Sequence, residues 1–553
     1  MFEFSKSVFG GEFPYVGTFG EMPPQEGMPP LPDQMKDQIM HISLPISRET
    51  VLMGSDAGGE WSPKEKGGGA ITYPVFITND SHFYAVFITH LLYICPEYIT
   101  WSMIFNRKAL FKLMKWKESP GRKPLLIRGA RQVGKSTLIR QFAAEFTHFI
   151  ELNLEKDQYR RLFEEVDSVS YLMDAIYLIT RIPKTDKPTL LFLDEIQESP
   201  KAIQQLRYFY EELPHLYVVA AGSLLEFVLK KVASFPVGRV EQMVLHPFDF
   251  EEFLMAEGNQ QALTELNTIP CHGFGYQSMT EQFHNYTIVG GMPEAIKQYV
   301  TDHSFANIGG IYDALWQGYK DDAEKYASNQ TERKIIRHVI DSSPNEKDRI
   351  SFEGFGNSVY RSREIGKALR ALDLARVVRL VYPSTSLTPP MNEDLKKRPR
   401  LQFLDTGLLN HALNIQAEMI GVNDLHLVCK GRIIQHMVIQ ELQSQHDSTL
   451  YKPHFWVREK AKSSAEVDLV YHYKQYLIPI EIKSGEQGKL RSLHQFMESC
   501  GHPYAVRLLA NRFSVENVKT PSGIPYLLMN LPYYLGTKLP QYIEWFIHNY
   551  RTI

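Results

Sequence analysis

The sequence predicts an α/β protein: a parallel sheet flanked by helices, with a smaller α/β domain further along the chain. Three stretches predict it. Residues 125–138 read LLIRGARQVGKSTL, an apolar run, a glycine-bounded loop and then a helix-like pattern. Residues 189–195 read TLLFLDE, a continuous apolar run ending in two acids, as a strand buried on both faces of a parallel sheet reads. Residues 466–470 (EVDLV) and 476–483 (YLIPIEIK) read as neighbouring strands that carry charged side chains among apolar ones.

The first stretch contains G-x-x-x-x-G-K-[ST] between a strand and a helix, the context in which this pattern cradles phosphates. Gly129 and Gly134 let the backbone turn back so that successive N–H groups face phosphate oxygens. Lys135 brings a positive charge toward the β- and γ-phosphates, Ser136 offers a hydroxyl to Mg²⁺, and Thr137 follows in the same nucleotide-binding turn. The helix starting near Lys135 adds its positive N-terminal end. ATP and Mg²⁺ are therefore the expected cofactors. Asp194 would hold the water shell of Mg²⁺, and Glu195 would polarise the attacking water. Ser223, just after the strand 217–221, stands where a hydroxyl could reach the γ-phosphate, or else it caps the next helix. Arg239 is a candidate finger for a γ-phosphate across a subunit boundary, which would require an oligomer, or else a surface arginine.

The length of 553 residues allows about three or four domains. Hydrophobic residues at 44% and charged residues at 22% are those of an ordinary globular protein. Up to residue 105, 5 Lys and Arg face 12 Asp and Glu; thereafter 55 face 51. The mildly basic body allows nucleic-acid binding without demanding it. Cys95, Cys271, Cys429 and Cys500 are far apart with no paired spacing, which argues against a zinc site or disulfide framework and suits a reducing cytoplasm. No secretory leader pattern is expected. The apolar run 83–95 is 13 residues long, short of the roughly 20 a membrane span needs, so no membrane partner is expected.

Residues 1–80 differ in character from the rest, with Gly- and Pro-rich stretches at 22–32 and 67–69 and a hairpin pattern over 39–46 and 50–53. SKSVFGGEF, MHISLPIS and TVLMGSDAGGEW in this region resemble the PhnB-like branch of the glyoxalase/vicinal-oxygen-chelate superfamily. The resemblance covers part of one module, whereas that superfamily holds metal between paired modules. His41 alone makes no metal site. A fusion remnant is the expectation, with 81–105 as junction. The ATPase core is then expected over 106–255, a helical lid over 256–328, a winged helix or helical linker over 329–415, and a further α/β domain over 416–553.

RGARQVGKST, LFLDEIQESP, AAGSLLEF, VGRVEQMVLHPFDFEEFL and VGGMPEAI resemble the bacterial and archaeal AAA-type ATPases that carry a C-terminal nuclease-like domain of unknown function. The resemblance runs from about Arg107 to the end and implies ATP binding, hydrolysis and a five-stranded parallel core. Within 329–415, Arg361, Arg363, Lys367 and Arg370 fall on one helical stretch, 362–374, followed by the basic run 396–400 (KKRPR). A DNA-gripping winged helix and a solvated basic face are both open there.

Asp468, Glu481 and Lys483 form D…(x)12…E-x-K. Residues two apart on a strand point the same way, so Glu481 and Lys483 share a face that Asp468 can meet from the neighbouring strand. Two carboxylates with oxygen ligands for Mg²⁺ and a lysine for the water or the phosphorane make the PD-(D/E)xK nuclease arrangement. An acid expected from the resemblance on the preceding helix is replaced by Gln435, with Glu441 nearly two turns later. The expected function is a Mg²⁺-dependent ATPase whose cycle moves the nuclease-like domain on DNA or on a protein client. A DNA nuclease regulated by ATP and a non-catalytic ATP-dependent scaffold are the alternatives.

Overall fold

The computed structural model describes residues 105–223, 225–229, 235–325, 327–420, 432–449, 451–460, 463–483 and 490–550, together with four earlier strands. The chain divides into two units, Met1–Trp101 and Ser102–Ile553. In the first, β1 (Tyr15–Thr18), β2 (Ile39–Pro45), β3 (Thr50–Ser55) and β4 (Tyr73–Thr78) form an antiparallel sheet in the order β1-β2-β3-β4. The expected hairpin over 39–46 and 50–53 is the β2–β3 pair, with Ser43 opposite Met53. The stretches 22–32, 67–69 and 83–95 lie outside the described residues.

The second unit opens with the helix Lys108–Glu118 and a five-stranded parallel sheet. Its strands are β5 (Leu125–Arg128), β6 (His148–Asn153), β7 (Thr189–Asp194), β8 (Tyr217–Gly222) and β9 (Glu241–Val244), in the order β6-β7-β8-β5-β9. Every residue of β5 and β7 is buried, as their unbroken apolar runs require when helices cover both faces. The pleat divides their side chains: Ile127, Phe192 and Val219 enter one apolar core, whereas Leu126, Leu191 and Ala220 enter the other. In register, Arg128 pairs with both Gly222 and Val244. The C-terminal ends of the strands therefore come level, at the edge where open α/β sheets bind ligands.

Helices follow at Phe250–Ala256, Gln260–Asn267, Tyr276–Val289, Pro293–Asp302 and Ile308–Glu324. The wholly buried Asp405 pins the last three of them by accepting from Gly291 N at 2.5 Å and from the Tyr312 hydroxyl at 3.1 Å. The helices Gln330–Ser342 and Ser362–Leu374 precede an antiparallel pair, β10 (Val378–Val381) with β12 (Arg400–Phe403).

The C-terminal part is a mixed seven-stranded sheet. Its strands are β11 (Pro383–Ser384), β13 (His454–Lys460), β14 (Ser463–Tyr473), β15 (Tyr476–Ile482), β16 (Tyr504–Leu509), β17 (Ser514–Lys519) and β18 (Pro525–Pro532), in the order β11-β13-β14-β15-β16-β18-β17. Its helix Arg432–Ser444 is the join to the parallel-sheet core and its helices. Glu441 on that helix is fully buried and accepts from Phe250 N at 3.1 Å and from the Tyr286 hydroxyl at 2.8 Å. Burial and the nearby Asp249 carboxylate push the Glu441 carboxyl well above the usual range. Glu441 is thus a structural tie rather than a displaced nuclease acid. Among the described residues no helix is long and apolar enough to cross a membrane.

Candidate nucleotide site

β5 delivers the chain to the glycine loop at its C-terminal end, and the helix Lys135–Phe142 leaves it. A Cβ at Gly129 would lie 2.4 Å from the Leu245 carbonyl oxygen, so only glycine fits beside β9. Gly134 has φ +92°, a left-handed conformation that glycine adopts without strain, and it starts the helix. Lys135 is buried, and its Nζ donates to the Gly129 and Ala130 carbonyls at 3.1 and 2.8 Å. Burial pulls its ammonium down to about 8, against the pull of the Glu195 and Asp194 carboxylates.

β7 carries Asp194 to the same edge. The Ser136 hydroxyl donates to Asp194 Oδ2 at 2.7 Å, although β8 lies between the two parent strands. A hydroxyl and a carboxylate in contact, both with oxygen donors, are a fitting pair for Mg²⁺. Burial raises the Asp194 carboxyl, and the Ser136 hydrogen bond opposes that shift. Glu195 follows in a left-handed turn (φ 50°), its N–H donating to Asp194 Oδ1 at 3.0 Å. Its carboxylate accepts from Gln197 Nε2 at 2.5 Å. Ser223 is buried at the end of β8, and Thr137 is exposed beside Ser136. The expected residues Gly129, Gly134, Lys135, Ser136, Asp194, Glu195 and Ser223 therefore meet on one edge of the sheet.

Arg239 does not join them. It precedes β9, whose first residue, Glu241, pairs with Leu125 at the start of β5, so Arg239 lies at the opposite end of the sheet. There it pairs with Glu211 at 3.1 Å, at the end of the helix Pro200–Glu212. The sequence reading missed Gln197, and it missed Arg131, whose guanidinium pairs with Asp322 of the helix Ile308–Glu324 at 2.9 Å. The local signal for Gln197 was its position two residues after Glu195. Arg131–Asp322 spans 191 residues and leaves no local signal.

The second constellation also assembles. Asp468 on β14 accepts from Ile482 N at 2.9 Å and from Gln435 Nε2 at 3.1 Å. Lys483 pairs with Glu481, and Arg400 pairs with Glu466 and lies 3.7 Å from Asp468. Burial and the Asp468 charge push the Glu481 carboxyl above the usual range, and its Oε2 has no hydrogen-bond partner. Asp468 and Lys483 line a cleft of about 280 Å³ that Arg400, Arg432, Gln435 and His454 also line. Among the described residues no group of three or more His, Cys, Asp or Glu is placed to hold a metal. The two carboxylates here meet two cations and an amide instead.

Residues 121–254 match the AAA domain family. Residues 280–419 and 430–527 match two domains of unknown function, DUF8612 and DUF4143. The chain thus carries an AAA ATPase domain followed by those two domains. No curated protein matches. Solved structures similar to this chain include a Walker-type ATPase of Pyrococcus abyssi, 16% identical, covering 56% of this chain and 96% of its own, with a TM-score of 0.37. The Aeropyrum pernix Orc1 protein in complex with DNA is 13% identical over 58% of this chain and 94% of its own, with a TM-score of 0.27. The Thermotoga maritima RuvB Holliday junction branch migration motor is 14% identical over 53% and 93%, with a TM-score of 0.26. At these scores the likenesses carry no weight beside the site geometry and the family matches.

Proposed function

We propose that the protein is a Mg²⁺-dependent ATP hydrolase whose nucleotide cycle moves its C-terminal domain on DNA or on a protein client. The observation that carries this reading is the contact between Ser136 and Asp194, at 2.7 Å under a glycine loop that admits no side chain at Gly129. Loop N–H groups and Lys135 would bind the phosphates, with Thr137 and Ser223 beside them. Ser136 and Asp194 would hold Mg²⁺, which neutralises charge on the β- and γ-oxygens when bound. Glu195 would take a proton from the attacking water. Lys135, now turned onto its own loop carbonyls, would exchange those two hydrogen bonds for phosphate oxygens.

Movement would pass through contacts made by the loop itself. Arg131 pairs with Asp322, and its carbonyl accepts from the Tyr319 hydroxyl at 3.0 Å, so the loop grips the helix Ile308–Glu324. Asp405 holds that helical layer at Gly291 and Tyr312, and Glu441 ties the layer at Tyr286 and the core at Phe250 to the C-terminal part.

A DNA partner is supported by the helix pair ending in Ser362–Leu374 and followed by β10 and β12, the element order of a winged helix. Arg361, Arg363, Lys367 and Arg370 are exposed there, although Lys367 pairs with Glu332. The nuclease reading is supported by the meeting of Asp468, Glu481 and Lys483 in one place and weakened by the amide of Gln435 on Asp468. Arg239 would serve as a finger only toward a second copy of the chain.

The test is ATP hydrolysis with and without duplex DNA, beside Lys135→Ala. The expected result is turnover that the variant abolishes. DNA that neither binds nor stimulates turnover assigns the movement to a protein client. Wild-type turnover in the variant overturns the reading.

A further inference from the structure

Gln197 sits in the short turn Ile196–Glu198, directly after the acids of β7, and is 8% exposed. Its two amide ends do different things. Nε2 donates to Glu195 Oε2 at 2.5 Å, while Oε1 is buried and accepts no hydrogen bond. That oxygen lies against Gly222 at the end of β8, where a Cβ would come within 2.2 Å of it. Gly222 precedes Ser223, so the orphan acceptor faces the strand end between the P-loop strand β5 and the acid strand β7. A buried carbonyl oxygen without a donor is costly unless the working state of the site supplies one.

We infer that Gln197 is a positioning residue for hydrolysis: its amide N–H fixes the Glu195 carboxylate, and its carbonyl accepts the second hydrogen of the attacking water. The inference rests on the ATPase reading. In the step, the water oxygen bonds to the γ-phosphorus while the bond from that phosphorus to the β–γ bridging oxygen breaks. The electron pair of the broken bond stays on ADP. One water proton passes to Glu195 and then to the released phosphate, and the other stays on the transferred oxygen, held toward Gln197 until bond formation. A water with both hydrogens directed presents its lone pair to phosphorus, which is a matter of orientation rather than of binding strength.

The full chain is compared with Gln197→Ala, Gln197→Asn, Gln197→Glu and Gly222→Ala by fluorescent-ATP binding and single-turnover hydrolysis. The expected result is a loss of about tenfold or more in the hydrolysis step for Gln197→Ala, with ATP affinity held within about twofold, since no ground-state phosphate contact is removed. Gly222→Ala, which displaces the amide, should show the same split. Gln197→Glu, which removes the amide N–H that holds the Glu195 carboxylate, should show it as well. A residue that only packs the turn would lower ATP affinity and the hydrolysis step together rather than split them. Should Gln197→Ala fail to fold, Gln197→Asn carries the test, because it keeps the amide but cannot reach both partners. Hydrolysis at the wild-type rate in a folded Gln197 variant overturns the inference. Undiminished turnover in Lys135→Ala would instead show that the ATPase reading itself is at fault.

Discussion

The edge of the parallel sheet and the C-terminal cleft are each built from two carboxylates and a lysine, yet their chemistry differs. At the first, the donor on Asp194 is the Ser136 hydroxyl, which can rotate and offer its own oxygen to a cation. At the second, the donor on Asp468 is the amide nitrogen of Gln435, and Glu481 is already held by Lys483. Arg400 adds a further positive charge 3.7 Å from Asp468. A divalent cation entering the first place meets a ready ligand pair. In the second it must displace fixed donors and face cations that already match the carboxylates in number. On the proposed reading, the same residue types would favour metal at one place and oppose it at the other.

The sharpest way to break this contrast is to remove each site's key charge in turn. Lys135→Ala should weaken ATP binding by about 100-fold or more, as loss of a buried charge-assisted contact does. Asp468→Ala should leave ATP binding unchanged by the same fluorescence titration, and a matched loss in both variants would dissolve the distinction.

The join between the two regions gives the next effect. Glu441→Ala leaves Phe250 N short of its buried acceptor and opens a hole beside Tyr286, and should cost about 2–4 kcal/mol in urea unfolding. Glu441→Gln keeps the acceptor and should change the pH dependence instead. Because the folded carboxyl is raised above its ordinary 4.5, wild-type stability is highest below that pH and declines as pH rises toward the folded value. The glutamine variant should lack that decline.

Gln435→Glu tests the amide directly. A third carboxylate in place of the donor on Asp468 should improve Mg²⁺ affinity at the cleft by about tenfold, read by calorimetry in the Lys135→Ala background. DNA cutting that appears only in this variant would show that the amide disarms the cleft. Unchanged Mg²⁺ affinity would mean that Arg400 and Lys483, not Gln435, set its character.

The smallest effect is on pH. Since burial brings Lys135 down to about 8, the free protein loses the ammonium above that pH, and binding a phosphate then requires taking up a proton. The Kd for ATP should be flat below about 8 and rise by at most about tenfold per pH unit above it. A Kd independent of pH up to 10 would place Lys135 outside the phosphate contact.

Much of this was legible along the chain because it is local. The apolar run of β7, the glycine loop and the helix Ser362–Leu374 follow from periodicities within a few residues, and their bounds fell within one or two residues of expectation. Glu481 and Lys483 share a face because a strand repeats every two residues. The roles of Arg239 and Glu441 did not follow in this way. Each is a charged residue whose meaning depends on which end of a sheet, or which neighbouring helix, it meets.

By itself the sequence determined the glycine loop, the acid-tipped strand and the pairing of Asp468 with Glu481 and Lys483, since backbone conformation and strand alternation fix these over short spans. Only the tertiary structure brought Ser136 against Asp194 across the intervening β8 and turned Gln435 onto Asp468. It alone buried Glu441 between layers and left Arg239 at the far end of the sheet. Those contacts join residues dozens to hundreds of positions apart, and the packing of strand on strand and helix on sheet selects them, not any local preference.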